Sequence, residues 1–136
     1  MKERRLKHGE GIFLDADAER VVTKTIADIV RNDGIPVHAY VICGDHVHMV
    51  IEAEDALLPK IVGKMKAQSS RAYLNYCGLP YLGGHGHLWA QKFNRRLIQS
   101  EEQFANTVAY IRNNRNKHGL PENNGLSDVI TRMFAR

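Results

Sequence analysis

The stretch from Ile35 to Ala53, IPVHAYVICGDHVHMVIEA, decides the fold. Ile35 to Cys43 reads as a strand, Gly44-Asp45 as a tight turn and His46 to Ala53 as a second strand, so the segment is a β-hairpin closed by two residues. Side chains alternate across a strand, which puts Val47, Met49 and Ile51 on one face and His46, His48, Val50 and Glu52 on the other. The two imidazoles therefore point the same way, opposite the more apolar face. By the same alternation His38 is expected to share a face with Tyr40 and Ile42, as a satisfied strand histidine.

Helical patterns flank the hairpin. Ahead of it, Asp15 or Asp17 can cap a helix whose apolar positions Val21, Val22, Ile26, Ile29 and Val30 keep helical spacing until Asn32-Asp33-Gly34 stops it. Behind it, Pro59 suits a first helical turn, and Leu58, Ile61, Val62, Met65, Ala72, Tyr73 and Tyr76 continue a long stripe to Gly78-Leu79-Pro80. A glycine-rich loop, Gly83-Gly84-His85-Gly86-His87, leads into Leu88 to Ile98, which reads as one strand or a bent pair. Ser100 with Gln103 forms a capping-box signature for a helix expected to run to about Lys117, before Gly119. Ser127 to Ala135 reads as a last short helix.

Composition narrows the function classes. A chain of 136 residues, 43% hydrophobic and 25% charged, suffices for one compact domain with its own core, here residues 1–136. The formal charge of +4 favours an acidic partner such as nucleic acid without demanding one. Cys43 and Cys77 make neither a disulfide framework nor a metal-ligand spacing. The start Met1-Lys2-Glu3-Arg4-Arg5 has no apolar signal core, and no run is long enough to span a bilayer, so a cytoplasmic protein is expected.

The helix after Ser100 separates a core tyrosine from a presented one. Phe104, Val108 and Ile111 cluster on one side, whereas Gln103, Asn106, Tyr110 and Asn114 cluster a quarter-turn or more away. Tyr110 thus sits among amides, four residues from Asn114. Two imidazoles, His46 and His48, with the amide oxygen of Asn114 form a neutral set that would hold Mg²⁺ or Mn²⁺ loosely and leave positions for water and phosphate oxygens. A phenol, with an ordinary pKa of about 10, is a poor nucleophile at neutral pH but a reasonable leaving group.

The ordered set of Gly44-Asp45-His46-Val47-His48-Met49-Val50, Gly86-His87-Leu88-Trp89-Ala90-Gln91, Tyr110-Ile111-Arg112-Asn113-Asn114 and Lys117-His118-Gly119-Leu120 resembles the HUH single-tyrosine (IS200-like) transposases. It is most similar to their REP-associated tyrosine transposase branch. The resemblance spans about residues 35–120, leaving 121–136 as a C-terminal helical extension. It implies an α+β, ferredoxin-like (RRM-like) fold: a central antiparallel sheet with helices packed mainly on one face. It further implies a single-stranded DNA endonuclease and strand transferase that acts with a divalent metal, Mg²⁺ or Mn²⁺, on single-stranded or hairpin DNA. Tyr110 would be the nucleophile, forming a 5′-phosphotyrosine link, with His46, His48 and Asn114 as metal ligands. A nucleoid-associated location follows from that partner.

DNA contact is expected from Lys64, Lys66 and Arg71 on the long helix, Lys92, Arg95 and Arg96 on the later strand, and Arg112, Arg115 and Lys117, with Arg95 and Arg96 foremost. Trp89, Phe93, Tyr73 or Tyr76 could stack on unpaired bases. His85-Gly86-His87 is expected to be structural, because a flexible loop loses entropy when it holds ligands. Where members of the resembled family commonly have Pro-Val after the aligned asparagine, this chain has Arg115-Asn116. Only Arg5 to Leu14 precedes the first helix, so a short first strand would leave a sheet edge to be covered, by a homodimer or otherwise. Two other classes stay open: a domesticated, catalytically silent hairpin-binding protein, and a small zinc hydrolase built on the histidine pair.

Overall fold

A computed structural model describes residues 14–79, 89, 95–117, 119–120 and 123–134. Its elements follow the order α1 (Ala16–Asn32), β1 (Val37–Ile42), β2 (Val47–Ile51), α2 (Leu58–Tyr76), α3 (Glu101–Arg112), α4 (Asn114–Lys117) and α5 (Asn124–Phe134), with a single 3-10 turn at Asp55–Leu57 leading into α2. The fold is α+β.

The start of α1 is fixed by Asp15, whose Oδ1 accepts the Ala18 N–H at 2.9 Å. Asp17, the alternative cap in the sequence, instead pairs with Arg20 one turn on. Ala18, Val22, Ile26, Ile29 and Val30 are buried along one stripe, as the spacing predicts. β1 and β2 pair antiparallel, with Tyr40 opposite Met49, Val41 opposite His48 and Ile42 opposite Val47. Gly44 closes the hairpin at φ 68°, a left-handed conformation that glycine adopts without strain.

One strand expectation is corrected. The register shifts between Val37 and Ala39, so His38 is an extra residue in a bulge. Val37, Tyr40 and Ile42 face the larger core, whereas His38 is exposed and its Nε2 lies 2.5 Å from Glu52 Oε2. The bulge breaks the alternation that would have placed His38 beside Tyr40.

The hairpin separates two apolar clusters. On one face Val37, Tyr40, Ile42, Val47, Met49 and Ile51 meet residues of α1, α2 and α5, including Val22, Val30, Met65 and Met133. On the other, Ala39, Val41, Cys43 and Val50 meet Val108 and Ile111 of α3, with Ile98 and Leu120 at the margin. Burying a side chain such as Ile42 contributes about 1.5–3 kcal/mol.

The capping box before α3 forms with a shift: Ser100 Oγ accepts the Gln103 N–H at 3.0 Å, but Gln103 Oε1 reaches back to the Gln99 N–H at 2.8 Å. The helix expected to run unbroken to about Lys117 is interrupted at Asn113, with φ −96° and ψ 3°. The turn restarts as α4 and ends at Gly119, φ 70°, where the Leu120 N–H returns to the Arg115 carbonyl at 2.9 Å. The last helix begins at Asn124, three residues before the expected Ser127.

The glycine-rich loop, Phe93, Lys92, most of the strand read over Leu88–Ile98, and the segment before Leu14 lie outside the described residues. Arg95 to Gln99 are described and belong to no strand, so Arg95 and Arg96 do not sit on the expected ladder; both are exposed. Among the described residues no helix is long and apolar enough to cross a membrane.

Candidate active site

Strand pairing and helix packing converge on the smaller face of the hairpin. His48 is on that face because Val47 and Met49 on either side pack into the larger core. Its ring meets that of His46 edge to face at 4.8 Å between centroids, so the expected pair of imidazoles forms. The Tyr110 ring lies edge-on to His48 at 5.9 Å. Tyr110 is in the last turn of α3, where burial of Val108 and Ile111 fixes the helix rotation and leaves the phenol 45% exposed, within reach of a macromolecular substrate. Lys117 Nζ stands 4.9 Å from the Tyr110 ring centroid, a cation over an aromatic face.

A carboxylate absent from the sequence reading completes this group. Asp45 Oδ1 lies 2.8 Å from His46 Nδ1. A carboxylate there holds the proton on Nδ1 and presents Nε2 as the lone-pair atom, the orientation that metal-binding imidazoles take. Its only sequence signal was its position directly before His46-Val47-His48.

Asn114 behaves differently from Tyr110. The turn at Asn113 carries it fully into the interior, while Tyr110 remains at the surface, so the shared face expected from an unbroken helix is not kept. Its Oδ1 accepts from the Cys43 thiol at 2.8 Å. Among the described residues its Nδ2 has no hydrogen-bond partner. Burial also pushes the Cys43 thiol above its ordinary pKa, which keeps it a protonated donor. A 180° rotation of the amide would set N–H on the sulfur and bring the oxygen to the open position.

This donor set fits a loosely held Mg²⁺ or Mn²⁺. Two neighbouring imidazoles, one beside a carboxylate, are two of the donors such a site needs; the unmet end of Asn114 as it stands is the Nδ2 donor, so Asn114 would add its oxygen only with the amide rotated, and water and phosphate oxygens would complete the shell. Among the described residues there is no cluster of three His, Cys, Asp or Glu side chains suited to a metal, so the amide and outside oxygens would have to contribute.

The basic residues divide. Lys117 joins the site, and Arg112 is exposed on the same helix as Tyr110. Lys64, Lys66 and Arg71 sit on α2, which packs on α1; Lys64 pairs with Asp33 at 2.9 Å, and burial lowers the Lys66 pKa. Arg95 reaches the Asp55 carboxylate at 3.5 Å. Arg115, expected at the DNA, turns inward: its side chain is 18% exposed, and Nη1 donates to Glu19 Oε2 and to the Ile42 carbonyl, each at 2.8 Å. Trp89 packs against the larger core with its indole N–H on Ser69 Oγ at 2.7 Å, and Tyr73 is also packed there, whereas Tyr76 is exposed.

No curated protein and no solved structure matches this chain. A protein-family comparison matches residues 6–114, from ahead of α1 to Asn114, to the family described as "Transposase IS200 like". That span holds the histidine pair, Tyr110 and Asn114, and the chain belongs to the IS200-like transposases, a family of DNA-processing enzymes.

Proposed function

We propose that this transposase cuts and rejoins single-stranded DNA by transesterification at Tyr110, with Mg²⁺ or Mn²⁺ held by His46, His48 and Asn114. The observation that carries the reading is the approach of the Tyr110 ring to His48, which is itself stacked edge-on with His46. Tyr110 Oη attacks the scissile phosphorus; the new O–P bond replaces the bond from phosphorus to the 3′ oxygen, and the phenolic proton is balanced by protonation of that leaving oxygen. The downstream strand then carries a 5′-phosphotyrosine and the upstream strand a free 3′-OH. Attack by a 3′-OH reverses the exchange and returns the phenol, so no external energy source is needed. When bound, the divalent ion supplies Lewis-acid polarisation of the phosphate.

The chain's own residues hold this geometry. Asp45 sets the His46 ring, His48 borders the phenol, and Lys117 over the Tyr110 face brings positive charge to the place where phosphate enters. Arg112 and Lys117 are the first DNA contacts we assign, with Arg95, Arg96, Lys64, Lys66 and Arg71 as more distant phosphate contacts. The substrate class is single-stranded or hairpin DNA, as in the REP-associated branch that the motif order resembles, and the protein works where that DNA lies, as a monomer or homodimer.

The test is a denaturing gel of wild-type and Tyr110→Phe protein incubated with single-stranded oligonucleotides from the DNA flanking the gene, with Mn²⁺. A covalent adduct on the 5′ end of the downstream fragment, lost in the variant and with chelator, is expected. Hairpin binding without an adduct would replace this reading with a silent DNA-binding protein.

A further inference from the structure

A second group of polar residues joins the two halves of the site without touching the reacting atoms. Glu19 of α1 is buried, at 3% exposure, with its carboxyl group inside the fold. Its Oε2 accepts the Gly44 N–H at 2.9 Å and Arg115 Nη1 at 2.8 Å. The same Nη1 donates to the carbonyl of Ile42, the last residue of β1. Asn123 donates Nδ2 to Glu19 Oε1 at 3.2 Å and to the Ala16 carbonyl at 2.8 Å. Arg20 in turn donates to Asn123 Oδ1 at 2.8 Å, and the Leu14 N–H reaches the Gly44 carbonyl at 3.0 Å. Both backbone groups of Gly44 are thereby tied to the segment that opens α1.

The location of these bonds gives them a consequence. Gly44 lies two residues before His46, and Arg115 directly follows Asn114. The turn that carries the histidine pair and the short helix that follows Tyr110 thus meet on one carboxylate. A buried ion pair adds little net stability over an apolar replacement but fixes one arrangement, because any displacement leaves a charge unpaired in a poor solvent for it. Apolar packing and the Cys43–Asn114 bond also link the interrupted α3–α4 segment to the hairpin.

We infer that the Glu19–Arg115 pair is a positioning clamp, which sets Tyr110 and Asn114 against His46 and His48, and that Arg115 is not a DNA contact. The inference deepens the proposed reaction and rests on it for its catalytic readout.

The experiment compares wild type, Arg115→Met, Glu19→Gln and the paired variant Glu19→Gln/Arg115→Met. It measures single-turnover cleavage at saturating oligonucleotide and Mn²⁺, hairpin-DNA affinity against salt, thermal midpoint, and the nuclear Overhauser contact between the His48 and Tyr110 rings. In Arg115→Met the saturated cleavage rate should fall about 10- to 100-fold, the scale on which a misplaced reactive group acts. Affinity should stay within about twofold with an unchanged salt slope, since a clamp neutralises no phosphate. The ring contact should weaken. The paired variant removes both charges, so its midpoint should recover relative to either single change while cleavage stays low.

A salt slope smaller by about one with the saturated rate intact would make Arg115 a DNA contact and overturn the clamp. Recovery of rate together with midpoint in the paired variant would reduce the pair to a purely structural role, which also overturns it. If Arg115→Met fails to fold, the paired variant decides on the same readouts. If wild type makes no cut, the proposed reaction fails, and the ring contact decides the clamp alone: retained in a folded variant it overturns the inference, lost it upholds it.

Discussion

The two faces of the hairpin spend their polar groups differently. Towards α1, α2 and α5, the buried Tyr40 hydroxyl meets Thr23 Oγ1 at 2.7 Å inside a wide apolar cluster, and nothing polar there is left open in that pair. Towards α3 the apolar cluster is smaller, the imidazoles and the phenol are partly exposed, and the fully buried Asn114 has no partner for its Nδ2 among the described residues. A buried polar group without a partner costs about 1–3 kcal/mol, a cost that a fold tolerates where the group has another use. The first face supplies stability, and the second holds the residues of the proposed chemistry.

Substitutions on the two faces should therefore separate. The largest effect on stability is expected from Ile42→Ala, which empties a fully buried position between the sheet and α1; it should cost about 2–5 kcal/mol in urea unfolding. A loss below 1 kcal/mol would mean that this face is not the stabilising one. Tyr40→Phe should cost about 1–2 kcal/mol, by leaving Thr23 unpaired.

Tyr40 also carries a pH signature. Burial raises its folded-state pKa above that of an unfolded tyrosine, so the folded state keeps the proton longer than the unfolded one. The associated stability is complete below about pH 10 and declines as pH rises through the unfolded value towards the folded one. Unfolding curves at neutral pH and above pH 10 should show a smaller alkaline loss in Tyr40→Phe than in wild type. Equal losses would place the effect on other groups.

The smallest stability change is expected at Tyr110, the proposed nucleophile. Tyr110→Phe keeps a half-exposed ring in place and should alter unfolding by no more than about 0.5 kcal/mol, even as covalent attachment disappears. A large stability loss in that variant would dissolve the contrast between the faces, because Tyr110 would then be part of the packing that holds α3.

The features dictated by neighbouring residues alone are local. Asp15 and Ser100 name their helix starts because a cap satisfies N–H groups three residues away. His46 and His48 share a face because strand alternation is a property of the backbone, and the exposed phenol follows from the helical spacing of Val108, Tyr110 and Ile111. The bulge at His38 was not legible, since a one-residue slip depends on which residues the partner strand offers. Nor was the break at Asn113, which replaced the expected continuous helix and buried Asn114 against Cys43, 71 residues away in the chain. Arg115 read as a DNA contact; only packing α1 against the hairpin turn brought it to Glu19, 96 residues earlier. Periodicities and caps are written in neighbouring residues, whereas a buried charge finds its partner only after the chain has folded around both, and that is why the clamp and the Asp45–His46–His48–Tyr110 grouping belonged to the tertiary structure.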